Sequence, residues 1–96
     1  MSVHHKAAST NAYLIAAMTQ AGAVIHYLTI RGVSVKGVIL HDCKPIIRIE
    51  HHPLCEQLLK KGQADYITVG KNARGGFKQG VFMKGGCKVI WSASLH

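Results

Sequence analysis

Acidic residues are scarce in this chain of 96 residues, and their scarcity limits what the protein can do. Four Asp and Glu stand against twelve Lys and Arg, which gives a formal net charge of +8 and a pI near 9.8. Each acid fits a structural position in a turn, a strand or a helix start, so the sequence offers no recognisable pair for acid/base catalysis. A chain with this balance is drawn to a negative partner, either a nucleic acid or an acidic protein surface.

Membrane, secretion and disulfide signals are also lacking. No apolar run approaches the roughly 20 residues that span a bilayer, and the first residues, MSVHHKAAST, have no apolar core of a signal peptide. The cysteines are three, an odd number, and no two have C-x-x-C spacing, which speaks against a secreted disulfide framework. We therefore expect reduced thiols, no membrane association and a cytoplasmic location.

The first half of the chain predicts an arm, a helix and a hairpin. Residues 1–8 have no periodicity and are expected to be a flexible arm, followed by one domain over residues 9–96. A helix is predicted from Ser9 or Thr10 to a left-handed C-cap at Gly22. The β-branched segment AVIHYLTIRGVSVKGVIL then predicts two strands joined by a tight turn at Arg31-Gly32.

The second half predicts alternating strands and helices. The segment PIIRIEH is a predicted strand, with Ile47 and Ile49 on one face, and a short helix is predicted from Pro53 to Lys61 because its end signals are complete. The strand DYITV, the loop GKNARGG, a short helix through Phe77 and the strand CKVIWS follow. The predicted fold class is α+β or α/β, one small domain with a mixed sheet of about five strands, made of an N-terminal hairpin and a β-α-β-α-β half.

The segment HDCKPIIRIEHHPLC is the first candidate for chemistry, because it is dense in His and Cys. Zinc needs four ligands in a tetrahedron, and Cys43, His52 and Cys55 lack the paired spacing of known structural sites. Cys55 is instead expected to pack in the core, and His52 is placed to cap the short helix. A Cys-His catalytic pair is likewise not indicated by any grouping of nucleophile and base. The sequence predicts no metal, no cofactor and no enzyme activity.

Two segments are candidates for binding a partner. The loop VGKNARGGFKQG carries Lys71, Arg74 and Lys78 and could contact phosphates or acidic side chains, although it is not a P-loop and a solvated basic loop is the simpler interpretation. In the first helix, the stripe Tyr13, Leu14, Ala17, Met18 and Ala21 is expected to face the core. The alternative is that Tyr13, Leu14 and Met18 form a partner or homodimer surface.

Three runs, AGAVIHYLTIRGVSVKGVIL, PIIRIEHHPLCEQLL and VIWSASLH, resemble the small derepression proteins of satellite bacteriophages, also called Epsilon or antirepressor proteins. The resemblance covers roughly Gly22 to the C-terminus. It implies a non-enzymatic protein in the cytoplasm of a bacterial host, which binds the immunity repressor of a helper phage and blocks its operator binding, so that lytic genes are derepressed. No motif of the family assigns a role to a particular residue here.

The residues are compatible with three functions. An antirepressor would use the basic loop for electrostatic steering and the Tyr13, Leu14 and Met18 stripe as anchor or homodimer surface. The alternative is a basic module that binds DNA or RNA directly, although aromatic residues are few and no helix-turn-helix is recognisable. A subunit that only assembles with copies of itself is the third possibility.

Overall fold

In a computed structural model of the chain, residues 2–72 and 75–94 are described, without the side chains of residues 2–7, 68, 72 and 94. The elements are two helices and five strands: α1 (Ser2–Ile30), β1 (Val35–His41), β2 (Lys44–Ile49), α2 (Pro53–Lys60), β3 (Asp65–Asn72), β4 (Gly75–Lys84) and β5 (Cys87–Ser94).

Helix α1 is much longer than predicted. It includes residues 2–8, predicted to be an arm, and residues 23–30, predicted to be the first strand of a hairpin. Gly22 lies inside the helix, and Gly32, with φ +77°, is the residue that ends it. The amide of Val33 donates to the carbonyl of Leu28 at 3.0 Å, which closes the last turn around this left-handed glycine. The prediction is wrong because the β-branched residues that favour a strand are here part of a helix, in which Val24 and Leu28 are buried four residues apart.

The N-terminal hairpin is formed by the second and third predicted strands and not by the first and second. Strands β1 and β2 pair antiparallel, and the turn between them is formed by Asp42 and Cys43, with φ +51° and +61°. Two consecutive residues with positive φ are the signature of a type I′ turn, whose twist matches that of the flanking strands. The predicted turn at Arg31-Gly32 is therefore wrong.

Helix α2 confirms the sequence prediction in detail. Pro53 is the first helical residue, and the Nδ1 atom of His52 accepts a hydrogen bond from the amide of Leu54 at 3.0 Å, as an N-cap does. Gly62 follows the helix with φ +72°. The cap, the proline and the glycine are local signals, which is why they could be interpreted without the rest of the fold.

The five strands form one mixed sheet in the order β1-β2-β5-β4-β3. Strands β2 and β5 are parallel, and the other neighbours are antiparallel. The helix predicted through Phe77, Val81 and Met83 is instead strand β4, so β3, β4 and β5 form a meander. Its second turn, Gly85-Gly86, has φ +55° and +78°, and the glycines predicted to end a helix there end a strand.

Both helices contribute to a single core on one face of the sheet. Fully buried members are Leu28 of α1, Cys55 of α2, Ile47 of β2 and Val89 of β5. Trp91 is 1% exposed and lies over Gly80, where an added Cβ would overlap the indole ring. The predicted fold class, a small α+β domain with a mixed sheet of about five strands, is confirmed.

The molecule is elongated because α1 is longer than the sheet. Its radius of gyration is 16.0 Å, and its dimensions are 57 × 31 × 22 Å, whereas a compact chain of this length would have a radius of about 12 Å. At 1.5 Å per residue, α1 is about 43 Å long. It passes over the Gly85-Gly86 turn at Gln20 and Val24. The N-terminal half of α1 therefore projects beyond the sheet.

Candidate protein-binding surfaces

The projecting half of α1 exposes large apolar side chains. Tyr13 is 68% exposed, Ile15 64% and Met18 63%, while Leu14 is half-buried. The stripe that faces the core is formed by the small and branched residues Ala17, Ala21, Val24 and Leu28, so the prediction is confirmed for Ala17 and Ala21. The expectation that Tyr13 and Met18 face the core is wrong, because the sheet ends before it reaches them.

The basic segment predicted between β3 and β4 is part of a hairpin. Lys71 is exposed near the end of β3, and Arg74 lies outside the described residues. Lys78 is half-buried on β4, where its Nζ atom lies 4.2 Å from the centroid of the Tyr66 ring. This cation–π contact holds the ammonium group close to the protein surface.

The two predicted patches lie at opposite ends of the sheet. The projecting half of α1 passes beyond the Gly85-Gly86 turn, which follows the last residue of β4. The basic hairpin lies at the first residue of the same strand, nine residues away, or about 30 Å at the rise of a strand. The charges of the basic hairpin are screened at that distance in physiological salt, where the Debye length is about 8 Å. The two patches cannot form one contiguous small interface.

The His- and Cys-rich segment is spread along β2. Cys43 lies in the turn before the strand, whereas His51 and His52 lie after it. The Nε2 atom of His51 is 2.8 Å from Oε1 of Glu56, and His52 caps α2. Over residues 2–72 and 75–94, no group of three His, Cys, Asp or Glu side chains is close enough to hold a metal ion.

Two of the three thiols are inert in their surroundings. Cys55 and Cys87 are fully buried, and burial raises the pKa of both thiols because the thiolate would lose its hydration. The hydrogen bond from the Cys55 amide to the His52 carbonyl belongs to the first turn of α2. Cys43 is half-buried in its turn. The geometry gives none of the features of an activated nucleophile.

The face of the sheet opposite the helices is the feature that sequence reasoning missed. Strand side chains alternate between faces, so Lys44, Ile46 and Arg48 of β2 lie opposite the buried Pro45, Ile47 and Ile49. On β5, the residues of this face include Lys88 and Ile90, which pair with Met83 and Val81 of β4. We name this surface the open face, because no described helix covers it.

Two hollows mark the ends of the open face. The first, about 260 Å³, lies at the hairpin-turn end and is lined by Pro45, Ile46 and Met83, of which Ile46 and Met83 belong to the open face, and by Lys44 and Lys88. The second, about 150 Å³, lies where β2 and β5 separate and is lined mainly by polar groups, including Lys36, Arg48, Glu50, Gln79 and Ser92. The alternating residues Lys44, Ile46 and Arg48 are the part of this face that the sequence indicates. The contribution of Met83 is not visible in the sequence, because the segment that contains it is predicted to be a helix.

Comparison of the chain with protein-family models, with curated proteins and with solved structures finds no match. The fold and the surfaces described above are therefore the basis on which a function can be argued.

Proposed function

We propose that this chain is a non-enzymatic antirepressor, which binds the immunity repressor of a helper phage in the bacterial cytoplasm and blocks its operator binding. The observation that carries the proposal is the projecting half of α1, whose exposed apolar residues Tyr13, Ile15 and Met18 have no cover within the described chain. Ile15 and Met18 are three residues apart and therefore share one side of the helix, and exposed apolar surface of this kind often marks an interaction site on a soluble protein.

The shape of the projection favours a protein partner. An isolated helix of this sort binds by laying its apolar side chains into a groove, with anchors three and four residues apart. Leu14 and Met18 are four residues apart and Ile15 and Met18 are three apart, and the aromatic ring of Tyr13 and the thioether of Met18 are residue types enriched at interfaces. The resemblance to satellite-phage derepression proteins supplies the identity of the partner, a DNA-binding repressor.

A membrane is a weaker partner for the same helix. By length and composition, Ala8–Ile30 is apolar enough to span a bilayer, contrary to the expectation from the sequence that no apolar stretch approaches that length. However, Ala17, Ala21, Val24 and Leu28 of that stretch belong to the core of the sheet. Insertion of the whole helix would uncover the sheet, and the part that projects is shorter than the roughly 20 residues a span requires.

The test is binding of a purified helper-phage repressor, followed by size-exclusion chromatography with light scattering at two salt concentrations. We expect a complex that survives moderate salt, because its centre is apolar, and loss of the repressor's operator shift in a mobility assay. The Tyr13→Ser, Met18→Ser double variant should lower the affinity at least tenfold, since each anchor of a hot spot contributes about 1 to 2 kcal/mol or more.

A matched control is available on the same helix. His26 is exposed on the half of α1 that lies over the sheet, so His26→Ser should leave repressor binding unchanged. Absence of any complex with the wild-type chain would refute the proposal. Self-association that is lost in the double variant, without any repressor complex, would instead identify the projecting half as a homodimer surface.

A direct nucleic-acid role is the second candidate, favoured by the basic hairpin with Lys71 and with Lys78 held against Tyr66. It predicts that affinity for duplex or single-stranded DNA falls with salt by a log-log slope of about 0.9 per neutralised phosphate. Lys71→Glu would then weaken DNA binding, whereas the antirepressor proposal expects little effect of that change on the repressor complex.

A further inference from the structure

The open face is a surface of the sheet that no described helix covers. Its middle strands β2 and β5 carry Ile46 and Ile90, both half-buried, and Arg48 and Lys88, both exposed. The neighbouring β4 adds Met83, which is 65% exposed. In a sheet with one solvated face, the strands usually place polar residues on that face. The apolar residues of the open face therefore need an explanation.

We infer that the open face docks an acidic segment of a partner protein, whose apolar side chain enters the hollow over Pro45, Ile46 and Met83 and whose carboxylates pair with Lys44 and Lys88. The inference rests on the proposed function and deepens it, since it names the chemistry of the repressor segment that this chain would recognise.

The positive charge of the open face indicates which kind of partner binds there. Lys44, Arg48 and Lys88 all lie on this face, and pairing it with the same face of a second copy would place these cations against one another. The chain has only four acids, and the projecting half of α1 carries no charged side chain from Ala8 onward that could complement them. A second copy is therefore a poor occupant, and an anionic partner is a good one.

The residues that line the hollow over Ile46 and Met83 favour a protein over a nucleic acid as the partner. Pro45, Ile46 and Met83 are aliphatic, and among the described lining residues only His41 has an aromatic ring, so a series of bases would find little to stack on. The volume of about 260 Å³ is just below the range of about 300 to 1,000 Å³ that small-molecule sites occupy, which suits a side chain better than a free ligand. An apolar centre with a cationic rim matches an apolar residue flanked by Asp or Glu.

The hollow at the other end of the face extends the same recognition. Lys36 and Arg48 line it with the polar groups of Gln79 and Ser92, and Glu50 is the acid among its lining residues. A carboxylate at this position would meet two cations, one carboxylate and neutral donors, so the Lys and Arg charges exceed the acidic charge by one. The two hollows lie at opposite ends of the parallel pair β2 and β5, so one extended or helical segment could contact both.

The first measurement uses a synthetic probe rather than the repressor. Amide and methyl chemical shifts of the chain would be followed during titration with a 14-residue peptide of alternating Glu and Leu blocks, and with polyglutamate as a probe of charge alone. We expect the peptide to shift Ile46, Met83 and Lys88 and their neighbours, with polyglutamate binding at least tenfold more weakly. Shifts confined to α1, or equal affinity for the two probes, would overturn the inference.

Charge-reversal variants give the matched comparison. Lys44→Glu with Lys88→Glu should lower the peptide affinity at least tenfold, and Met83→Ser should lower it several-fold without a change of charge. Lys60→Glu with Lys61→Glu changes the net charge equally at the exposed end of α2 and should have less than a twofold effect. If both double variants lose the same amount of peptide affinity, the effect is one of net charge alone, and this result would also overturn the inference.

The same variants in the repressor assay separate the two proposals. If the repressor complex is weakened by the α1 variants but not by Lys44→Glu with Lys88→Glu, the proposed function stands and the open-face inference fails. If the peptide binds the open face and no repressor complex forms, the inference stands and the proposed function fails. Displacement of the peptide by single-stranded DNA with higher affinity at 150 mM salt would reassign the face to nucleic acid.

Discussion

Replacing Gly22 by Ala tests the most consequential difference between the predicted and the observed fold. The sequence pattern placed Gly22 at a left-handed helix end, where Ala would be strained by about 1 to 2 kcal/mol. In the structure Gly22 is exposed inside α1, and an added Cβ would have nothing within 4 Å. Since Gly is about 0.8 to 1.0 kcal/mol less favourable than Ala in a helix interior, the variant should be more stable by nearly that amount.

Gly32→Ala is the control with the opposite sign. Gly32 has φ +77°, and the nearest atom to an added Cβ is Nε2 of His52 at 3.9 Å, so the cost would be conformational strain and not a clash. We expect about 1 to 2 kcal/mol of destabilisation. The measurement is urea unfolding followed by circular dichroism at 222 nm, with thermal unfolding as a second assay, in which 1 kcal/mol corresponds to a shift of about 4 to 8 °C for a domain of this size. Destabilisation by Gly22→Ala would refute a continuous α1.

Three further predictions follow from the core. Gly80→Ala should destabilise the domain by about 1 to 3 kcal/mol or more in urea unfolding, because the new methyl group would overlap the Trp91 ring. In the native protein a thiol reagent should modify Cys43 rapidly, and Cys55 and Cys87 only at the rate of unfolding; rapid reaction of all three would contradict their burial. Burial raises the folded pKa of Cys55 and Cys87, so the unfolded chain loses these protons first and the free energy of unfolding should decline above about pH 8.5. That decline, compared at pH 7 and 9.5, should be smaller in Cys55→Ala.

Local signals predicted the parts of the fold that depend on a few neighbouring residues. Helix α2 was recoverable because Pro53, Glu56 and Gly62 each act within one turn. The strand containing Ile47 and Ile49 was recoverable because alternate burial leaves a period of two in the sequence. These signals operate through backbone geometry and capping, which require no knowledge of what packs against them.

Long-range packing decided the parts that sequence reasoning missed. The residues after Gly22 favour a strand by β-branching, but Val24 and Leu28 lie four apart and pack on the sheet as one helix face. Strand β4 was misassigned because Gly80 is a poor strand residue unless a ring covers it, and the ring is Trp91, eleven positions later in the sequence. A pairing of that kind has no local signature.

The candidate surfaces illustrate the same limit. That α1 carries an apolar stripe was visible in the sequence, but whether Tyr13 and Met18 are buried depends on where the sheet ends beneath the helix. The open face required both the correct assignment of β4 and the parallel pairing of β2 with β5, neither of which the sequence pattern determines. Alternation in β2 alone could show only that Arg48 faces solvent.

The position of the only tryptophan gives the protein a built-in optical reporter. The Trp91 indole is 1% exposed, its N–H finds no acceptor among the described residues, and the rings of Tyr66 and Phe82 lie 6.2 and 6.3 Å away. An indole ring without solvent contact has its fluorescence maximum at short wavelength, and the maximum shifts to longer wavelength when water contacts the ring. The ring lies on the side of the sheet that faces the helices, and Trp91 lines the smaller hollow of the open face but not the larger one. A ligand confined to the larger hollow can therefore bind without changing the emission wavelength of Trp91. A red shift during a titration would therefore report opening of the domain, and its absence would report docking on an intact one.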